Sequence, residues 1–177
     1  MQIENEIKVL DIDVTAATQL LIELGFVQKK ELSFRRYVYD VIPKDPTAWV
    51  RLRTDGTKTT LSFKQSLSDS IDGMKEIEIT LDNFSDMHDI LTCSGFKPKS
   101  YQENNRLVFE GMGCEVTIDS WPLIPPYMEI ESNDKTTVEE CLKALSGIKH
   151  SETTSLSTEE VYKRYGIDLT TIDKLTF

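Results

Sequence analysis

The chain has 177 residues, with 20 Lys and Arg against 30 Asp and Glu, a formal net charge of -10 at pH 7. That length suffices for one compact domain, expected over residues 1–177, and the negative excess speaks against broad electrostatic binding to nucleic acid or to an anionic membrane surface. Hydrophobic residues make up 39% and charged residues 28% of the chain, an ordinary globular mixture, and no apolar run approaches the roughly eighteen residues of a spanning helix.

Cys93, Cys114 and Cys141 are odd in number and show no C-x-x-C spacing, and His88 and His150 are the only histidines. Neither a disulfide framework nor a zinc site is expected, and the thiols read as reduced groups of a soluble, cytoplasmic protein. The chain opens directly into charged strand, without an apolar leader segment.

Taken in order, the first element is a strand from Glu4 to Val9, on which Glu4, Glu6 and Lys8 alternate with apolar residues. A helix follows, capped by Asp13, with Leu20, Leu21 and Leu24 on one face and Gly25 in the position after its last turn. A strand carrying Arg36, Tyr39 and Asp40 comes next. Then come strands from Ala48 to Arg53 and from Thr59 to Lys64, joined by the tight-turn pair Asp55-Gly56. The polar segment 65–73 reads as a mobile loop at a barrel mouth.

From here the order repeats. Gly95-Phe96 lies 70 residues beyond Gly25-Phe26. Around it stand a strand with Glu76 to Thr80, a helix capped by Asp82 or Ser85 with Met87, Ile90 and Leu91, and a strand with Arg106, Phe109 and Glu110. Strands from Cys114 to Asp119 and from Tyr127 to Glu131 flank the proline-rich loop Trp121 to Pro126. Two pseudo-repeats, roughly 1–65 and 74–131, are therefore expected. A helix starting at Thr136 or Thr137, with Val138, Cys141, Leu142 and Leu145 on one face, follows them. A last helix opens on the capping box that begins at Ser157 and continues through Val161, Tyr162 and Tyr165.

Side chains of a strand alternate between its faces. Glu4, Glu6, Lys8, Arg51, Arg53, Lys64, Glu76, Glu78, Arg106, Asp119, Glu129 and Glu131 fall at one parity, while Ile7, Leu52, Ile77 and Ile130 fall at the other. Any single pair of this kind is commonly a solvated face. Eight strands patterned on both faces instead predict an α+β fold: an eight-stranded antiparallel barrel, a tunnel with a charged lumen and an apolar outside clad by helices.

Burying a dozen charges for stability alone is costly, so the lumen is expected to hold something. Lys8, Arg51, Arg53, Lys64 and Arg106 suit phosphate oxygens, whereas Glu4, Glu6, Asp119, Glu129 and Glu131 are hard oxygen ligands suited to Mg2+ or Mn2+. Glu76 and Glu78, with Lys8, are the catalytic candidates, the two carboxylates as groups that orient an attacking water. Trp49 and Trp121 are expected to be packing residues, and His88 and His150 to lie on the surface. Neither a Walker loop nor a G-x-G-x-x-G motif is present.

In these residues, across nearly the whole chain, the sequence resembles the CYTH domain of the triphosphate tunnel metalloenzymes, a family that includes class IV adenylyl cyclases, thiamine triphosphatases and inorganic triphosphatases. The resemblance rests on Glu4-x-Glu6-x-Lys8, Val50-Arg51-Leu52-Arg53, Lys64 closing Leu-Ser-Phe-Lys, Glu76-Ile-Glu78, Arg106, Asp119 and Glu129-Ile-Glu131. It implies a tunnel in which basic residues bind a triphosphate and glutamates bind one or two divalent cations. It also implies a lysine on the C-terminal helix that closes the site, for which Lys163 is the candidate. The stretch from Trp121 to Tyr127 lacks the glycine often found in this loop, and Lys29, Lys30 and Arg36, though within reach of the tunnel, stay outside the predicted set.

The expected function is divalent-metal-dependent hydrolysis of a small-molecule triphosphate, inorganic or organic. The alternatives are cyclisation of ATP to cyclic AMP and pyrophosphate, and non-catalytic polyphosphate binding. Monomer and homodimer both remain open.

Overall fold

A computed structural model describes residues 2–177 of the chain. Its first unit runs β1 (Gln2–Val9), α1 (Val14–Glu23), β2 (Val27–Asp40), β3 (Ala48–Thr54) and β4 (Thr59–Ser66); its second runs β5 (Met74–Leu81), α2 (Phe84–Cys93), β6 (Pro98–Gly111), β7 (Cys114–Ser120) and β8 (Tyr127–Ser132). The C-terminal part holds α3 (Lys135–Ala144), β9 (Thr153–Thr154), α4 (Thr158–Arg164), a 3-10 turn (Leu169–Thr171) and β10 (Lys174–Leu175).

Eight strands close into a barrel in the order β6-β2-β3-β4-β5-β1-β8-β7, with β7 returning to β6. Every pairing in the ring is antiparallel. Exchanging β1 with β5, β2 with β6, β3 with β7 and β4 with β8 leaves the set of pairings unchanged, so the internal repeat is expressed as a pseudo-twofold. The long strands β2 and β6 pair with each other across that axis, from Val27 opposite Glu110 to Tyr39 opposite Pro98. Outside the ring, β10 extends β6 in parallel and β9 adds to β1.

The equivalent helices α1 and α2 start 70 residues apart, at Val14 and Phe84. Each ends where Gly25 or Gly95 adopts a positive φ, +85° or +93°, a conformation that glycine takes without a steric penalty. Asp13 caps α1 as expected, whereas α2 is capped by Asn83 rather than Asp82 or Ser85, because the Asn83 carbonyl accepts from the N–H groups of Ser85 and Asp86. Helix α3 likewise starts at Lys135, one or two residues earlier than Thr136 or Thr137 suggests, since Asp134 accepts from Thr137 N–H. Ser157 and Glu160 form the expected capping box on α4.

Helices α1 and α3 bury the outer faces of β1, β6, β7 and β8, where Leu21, Phe109, Val116, Ile130 and Val138 are sealed from solvent. Helix α2 covers β2, β3 and β4 through Leu91 against Tyr39 and Leu52. Helix α4 and the 3-10 turn close a third cluster around Trp121, Tyr127 and Tyr162. Full burial of one such leucine or valine stabilises the fold by about 1.5–3 kcal/mol.

The cladding is incomplete. Among the described residues no helix covers Ile77 and Ile79 on the outer face of β5, which are 47% and 52% exposed.

Two other expectations change. His88 is not a surface residue: its ring stacks on Tyr37 at 4.0 Å between centroids and its Nδ1 lies 2.7 Å from Tyr39 Oη, which ties α2 to β2. The segment after β4 is tied rather than loose: Ile71 O accepts from Glu6 N at 2.8 Å, Gly73 O from Leu67 N at 2.7 Å, and Asp69 Oδ1 from Ser155 N at 3.2 Å. No described helix is long and apolar enough to cross a membrane.

Candidate functional site

The barrel encloses a cavity of about 670 Å3 lined by Glu4, Glu6, Lys8, Arg51, Arg53, Lys64, Glu76, Glu78, Arg106, Glu129 and Glu131. Asp119 belongs to the same wall but lies beneath it, fully buried. The register explains part of the gathering, because several inward charges stand beside others on the next strand. Glu6 opposes Glu131 and Lys8 opposes Glu129 across β1 and β8, and Lys64 opposes Glu76 across β4 and β5.

On the β1, β5 and β8 side the charges pair tightly. Lys8 Nζ sits 2.8 Å from Glu6 Oε1 and 2.9 Å from Glu129 Oε1. Burial opposes its charge, yet Glu129 and Glu6 outweigh burial and hold the ammonium well above the usual lysine range. Lys64 Nζ bridges Glu4 at 2.7 Å and Glu76 at 3.3 Å.

Burial, together with a hydrogen bond to Glu76, pushes Glu4 up to about 8. For Glu76 burial is outweighed by that hydrogen bond and by Lys64 and Arg51, which hold it below the usual carboxylate range. The two carboxylates titrate as a coupled pair. Glu131 has no cation within ion-pair distance among the described residues. Burial, then repulsion from Glu129 and Glu6, push it up to about 7.

The β2, β3 and β6 side carries guanidinium groups. Arg51 Nη2 lies 3.1 Å from Glu76 and 3.4 Å from Glu78, and Arg53 Nη2 lies 3.6 Å from Glu78. Arg106 donates to both oxygens of Asp119, from Nε at 2.8 Å and from Nη2 at 2.6 Å, and reaches Glu129 at 3.0 Å.

Arg36 was not predicted for the site, yet it belongs to this cluster. It is 6% exposed, donates to Asn104 Oδ1 and has no carboxylate within ion-pair distance among the described residues. Its Nε–H has no partner. Burial, then the neighbouring Arg51, Arg53 and Arg106, hold it well below the usual arginine range, and burial with Arg51 and Arg106 lowers Arg53 to about 9. Arginine keeps its proton in proteins, so these directions reflect the cost of burying like charges side by side.

Asn104 was missed as well. It lies two residues before Arg106, on the same face of β6, and donates to Asp119 Oδ1 at 2.8 Å. Strand parity alone would have found it. Arg36 was legible in the same way once the outward parity of Tyr37 and Tyr39 was fixed by α2. By contrast, Lys29 pairs with Glu110 on the outside of the barrel.

Both tryptophans line the cavity rather than only packing around it: Trp49 is half-buried and Trp121 is 4% exposed. At one mouth Lys99 links Asp40 of β2 to Glu159 of α4, at 3.4 and 3.0 Å, and holds α4 against the opening. Lys163, also at this mouth, pairs with Glu159 at 3.2 Å.

As a metal site the acidic wall is not preformed, since among the described residues no three acidic, imidazole or thiol groups are arranged around a common ion position. Glu4, Glu6 and Glu129 face ammonium groups instead. Their chemistry nonetheless fits a hard divalent cation, and the unpartnered Glu131 between two other carboxylates is a group that such a cation would relieve. Asp119 does not fit, because its oxygens are taken by Arg106 and Asn104.

No family model and no curated protein matches the chain. Solved structures do. The PH1819 protein from Pyrococcus horikoshii aligns over 92% of this chain and 99% of its own at 19% identity, with a TM-score of 0.76. A candidate adenylate cyclase from Vibrio parahaemolyticus covers 92% and 98% at 14% identity and a TM-score of 0.73. HpAC1 from Hippeastrum, described as an adenylyl cyclase candidate with a dominant triphosphatase activity, covers 93% and 96% at 19% identity and a TM-score of 0.65. At these identities the likeness is one of fold, and the chain has the tunnel fold that its resemblance to CYTH domains implies.

Proposed function

We propose that this chain is a divalent-metal-dependent phosphohydrolase that takes a triphosphate-bearing small molecule into the barrel lumen. The observation that carries this reading is the pair of opposite vacancies in the charge network. Among the described residues Arg36 is a buried guanidinium with no carboxylate at ion-pair distance, beside three further arginines, and Glu131 is a half-buried carboxylate with no cation at that distance on the opposite wall. A ligand that supplies both signs satisfies the two walls at once, and a polyphosphate with a divalent cation is such a ligand.

In this reading Arg36, Arg51, Arg53 and Arg106 hold phosphoryl oxygens, with planar forks that match their geometry. Glu4, Glu6, Glu129 and Glu131 would hold Mg2+ or Mn2+ after exchanging the ammonium groups they now face. When bound, the cation supplies charge neutralisation and polarises phosphoryl oxygens. Lys8, kept protonated by Glu129 and Glu6, offers hydrogen bonds to the same oxygens. Glu76, paired with Lys64 and Arg51, and Glu78, held by Arg51 and Arg53, are acceptors that orient a water for in-line attack.

The triphosphatase activity described for HpAC1 supports hydrolysis. The half-buried Trp49 at the lumen edge favours, as a second reading, a nucleoside triphosphate whose own hydroxyl attacks, with cyclic AMP and pyrophosphate as products. The deciding experiment is incubation with tripolyphosphate, ATP or thiamine triphosphate and Mg2+ or Mn2+, followed by product identification. Orthophosphate release is expected; cyclic AMP with pyrophosphate moves the assignment to cyclisation, and turnover of none of the three overturns both readings.

A further inference from the structure

We propose that the indole N–H of Trp121 and the Nε–H of Arg36 form one phosphoryl-oxygen subsite, so that Trp121 is a substrate-binding residue of the tunnel. The inference rests on the triphosphate reading and deepens it. Both atoms are buried donors with no hydrogen-bond partner. They also belong to side chains in contact, since the Arg36 guanidinium carbon lies 4.6 Å from the indole centroid. One buried unpaired donor is uncommon in a folded protein, and two on touching side chains mark an acceptor that the free chain does not supply.

The chemistry narrows what that acceptor is. An indole N–H only donates, and so does a guanidinium. A cation, an amine or a second donor therefore gains nothing there. Water can accept, but it brings no charge to Arg36, which has no carboxylate at ion-pair distance among the described residues and is repelled by Arg51, Arg53 and Arg106. A phosphoryl group brings negative charge and several acceptor oxygens together.

The indole is held in place for this contact. Tyr162 of α4 meets it edge-on at 6.2 Å and 84°, and the Tyr162 hydroxyl donates to Pro122 O at 2.7 Å, which braces the loop that begins at Trp121. A fixed donor loses little freedom on binding. The loop after β7 thus carries a recognition group as well as closing the barrel.

Trp49 and Trp121 are the only two tryptophans, which permits a direct test. In Trp49→Phe protein the emission of Trp121 is recorded while tripolyphosphate is added, with calorimetry in parallel on the same protein and on the unaltered chain. A saturable emission change with the calorimetric midpoint is expected. Trp121→Phe keeps an aromatic ring but removes the donor. It should bind tripolyphosphate and ATP about tenfold more weakly, both equally because both present phosphoryl groups, as loss of one hydrogen bond to a charged acceptor implies.

Unchanged Trp121 emission at calorimetric saturation, or wild-type affinity in Trp121→Phe, overturns the subsite and leaves the triphosphate reading standing. Absence of calorimetric binding to the unaltered chain overturns both. Should Trp121→Phe fail to fold, the emission titration decides alone.

Discussion

The walls made by β3–β4 and by β7–β8 are equivalent under the pseudo-twofold, yet they carry opposite charge. Inward from β3 and β4 point Arg51, Arg53, Ser62 and Lys64, whereas inward from β7 and β8 point Thr117, Asp119, Glu129 and Glu131. Both make the same antiparallel pairings, with seven and eight residues in the first pair of strands and seven and six in the second. The sign of the lumen charge is therefore no requirement of the fold. What folding needs from these strands is the outward residues, such as Leu52 under α2 and Ile130 under α3. The inward positions are left free for chemistry, and in the proposed reading one wall seats anions while the other holds cations.

If the acidic wall holds a divalent ion, removing that ion has the largest effect. Excess chelator should abolish turnover of tripolyphosphate, and added Mg2+ or Mn2+ should restore it. Full activity in chelator would reduce the difference between the walls to an internal ion-pair network.

Next in size is the loss of Arg36 from the basic wall. Arg36→Met should weaken tripolyphosphate binding by about a hundredfold, as truncating a buried charged donor does. The same change should raise the melting temperature of the ligand-free protein, because it removes a desolvated cation that faces three others. A fall in both affinity and stability would show that Arg36 is structural, held by Asn104 and Trp121.

Glu131→Gln probes the acidic wall more gently. The metal concentration for half-maximal activity should rise about tenfold, since a neutral amide is a poorer ligand for a hard cation. Ligand-free stability should hold or increase, because Glu131 is repelled by Glu129 and Glu6. An unchanged metal requirement would remove Glu131 from the ligand set.

The smallest effect is on the pH dependence of the metal-free protein. Glu131 and Glu4 are raised from the ordinary 4.5 to about 7 and about 8. Between those limits the folded chain binds more protons than the unfolded one, so stability is lost as pH rises through that window. Glu129, for which Lys8 and Arg106 outweigh burial, is held well below 4.5, and its contribution is lost as pH falls below that value. Melting temperature should therefore peak near pH 5, fall by roughly a few degrees toward pH 8, and flatten when Mg2+ and tripolyphosphate are present. A melting temperature that rises steadily from pH 5 to pH 8 would contradict the repulsion ascribed to the acidic wall.

Much of this arrangement is legible in the sequence because alternation along a strand is local. Glu4-x-Glu6-x-Lys8 or Arg51-x-Arg53 commits its charges to one face whatever the partner strand, and the 70-residue offset of Gly25 and Gly95 sets the order of elements. Helix caps were less legible: several polar residues stand at each helix start, and backbone geometry selects Asn83 and Asp134. The roles of Arg36 and Trp121 were hidden for a different reason. Their short-range context reads as packing or solvated strand, and their partners come from β6, α4 and the far side of the ring.

By itself, then, the sequence determined the eight patterned strands, their faces and the residues able to bind phosphate or a hard cation, because period-two alternation and turn chemistry act over a few residues. Which charges meet, that Arg36 and Glu131 have no ion-pair partner among the described residues, and that Asp119 is spent on Arg106 were decided by tertiary structure. Closure of the ring brings together β2 with β6 and β1 with β8, whose paired residues, Tyr39 and Pro98 among them, lie 59 or more positions apart. No local rule sets the register between such distant strands.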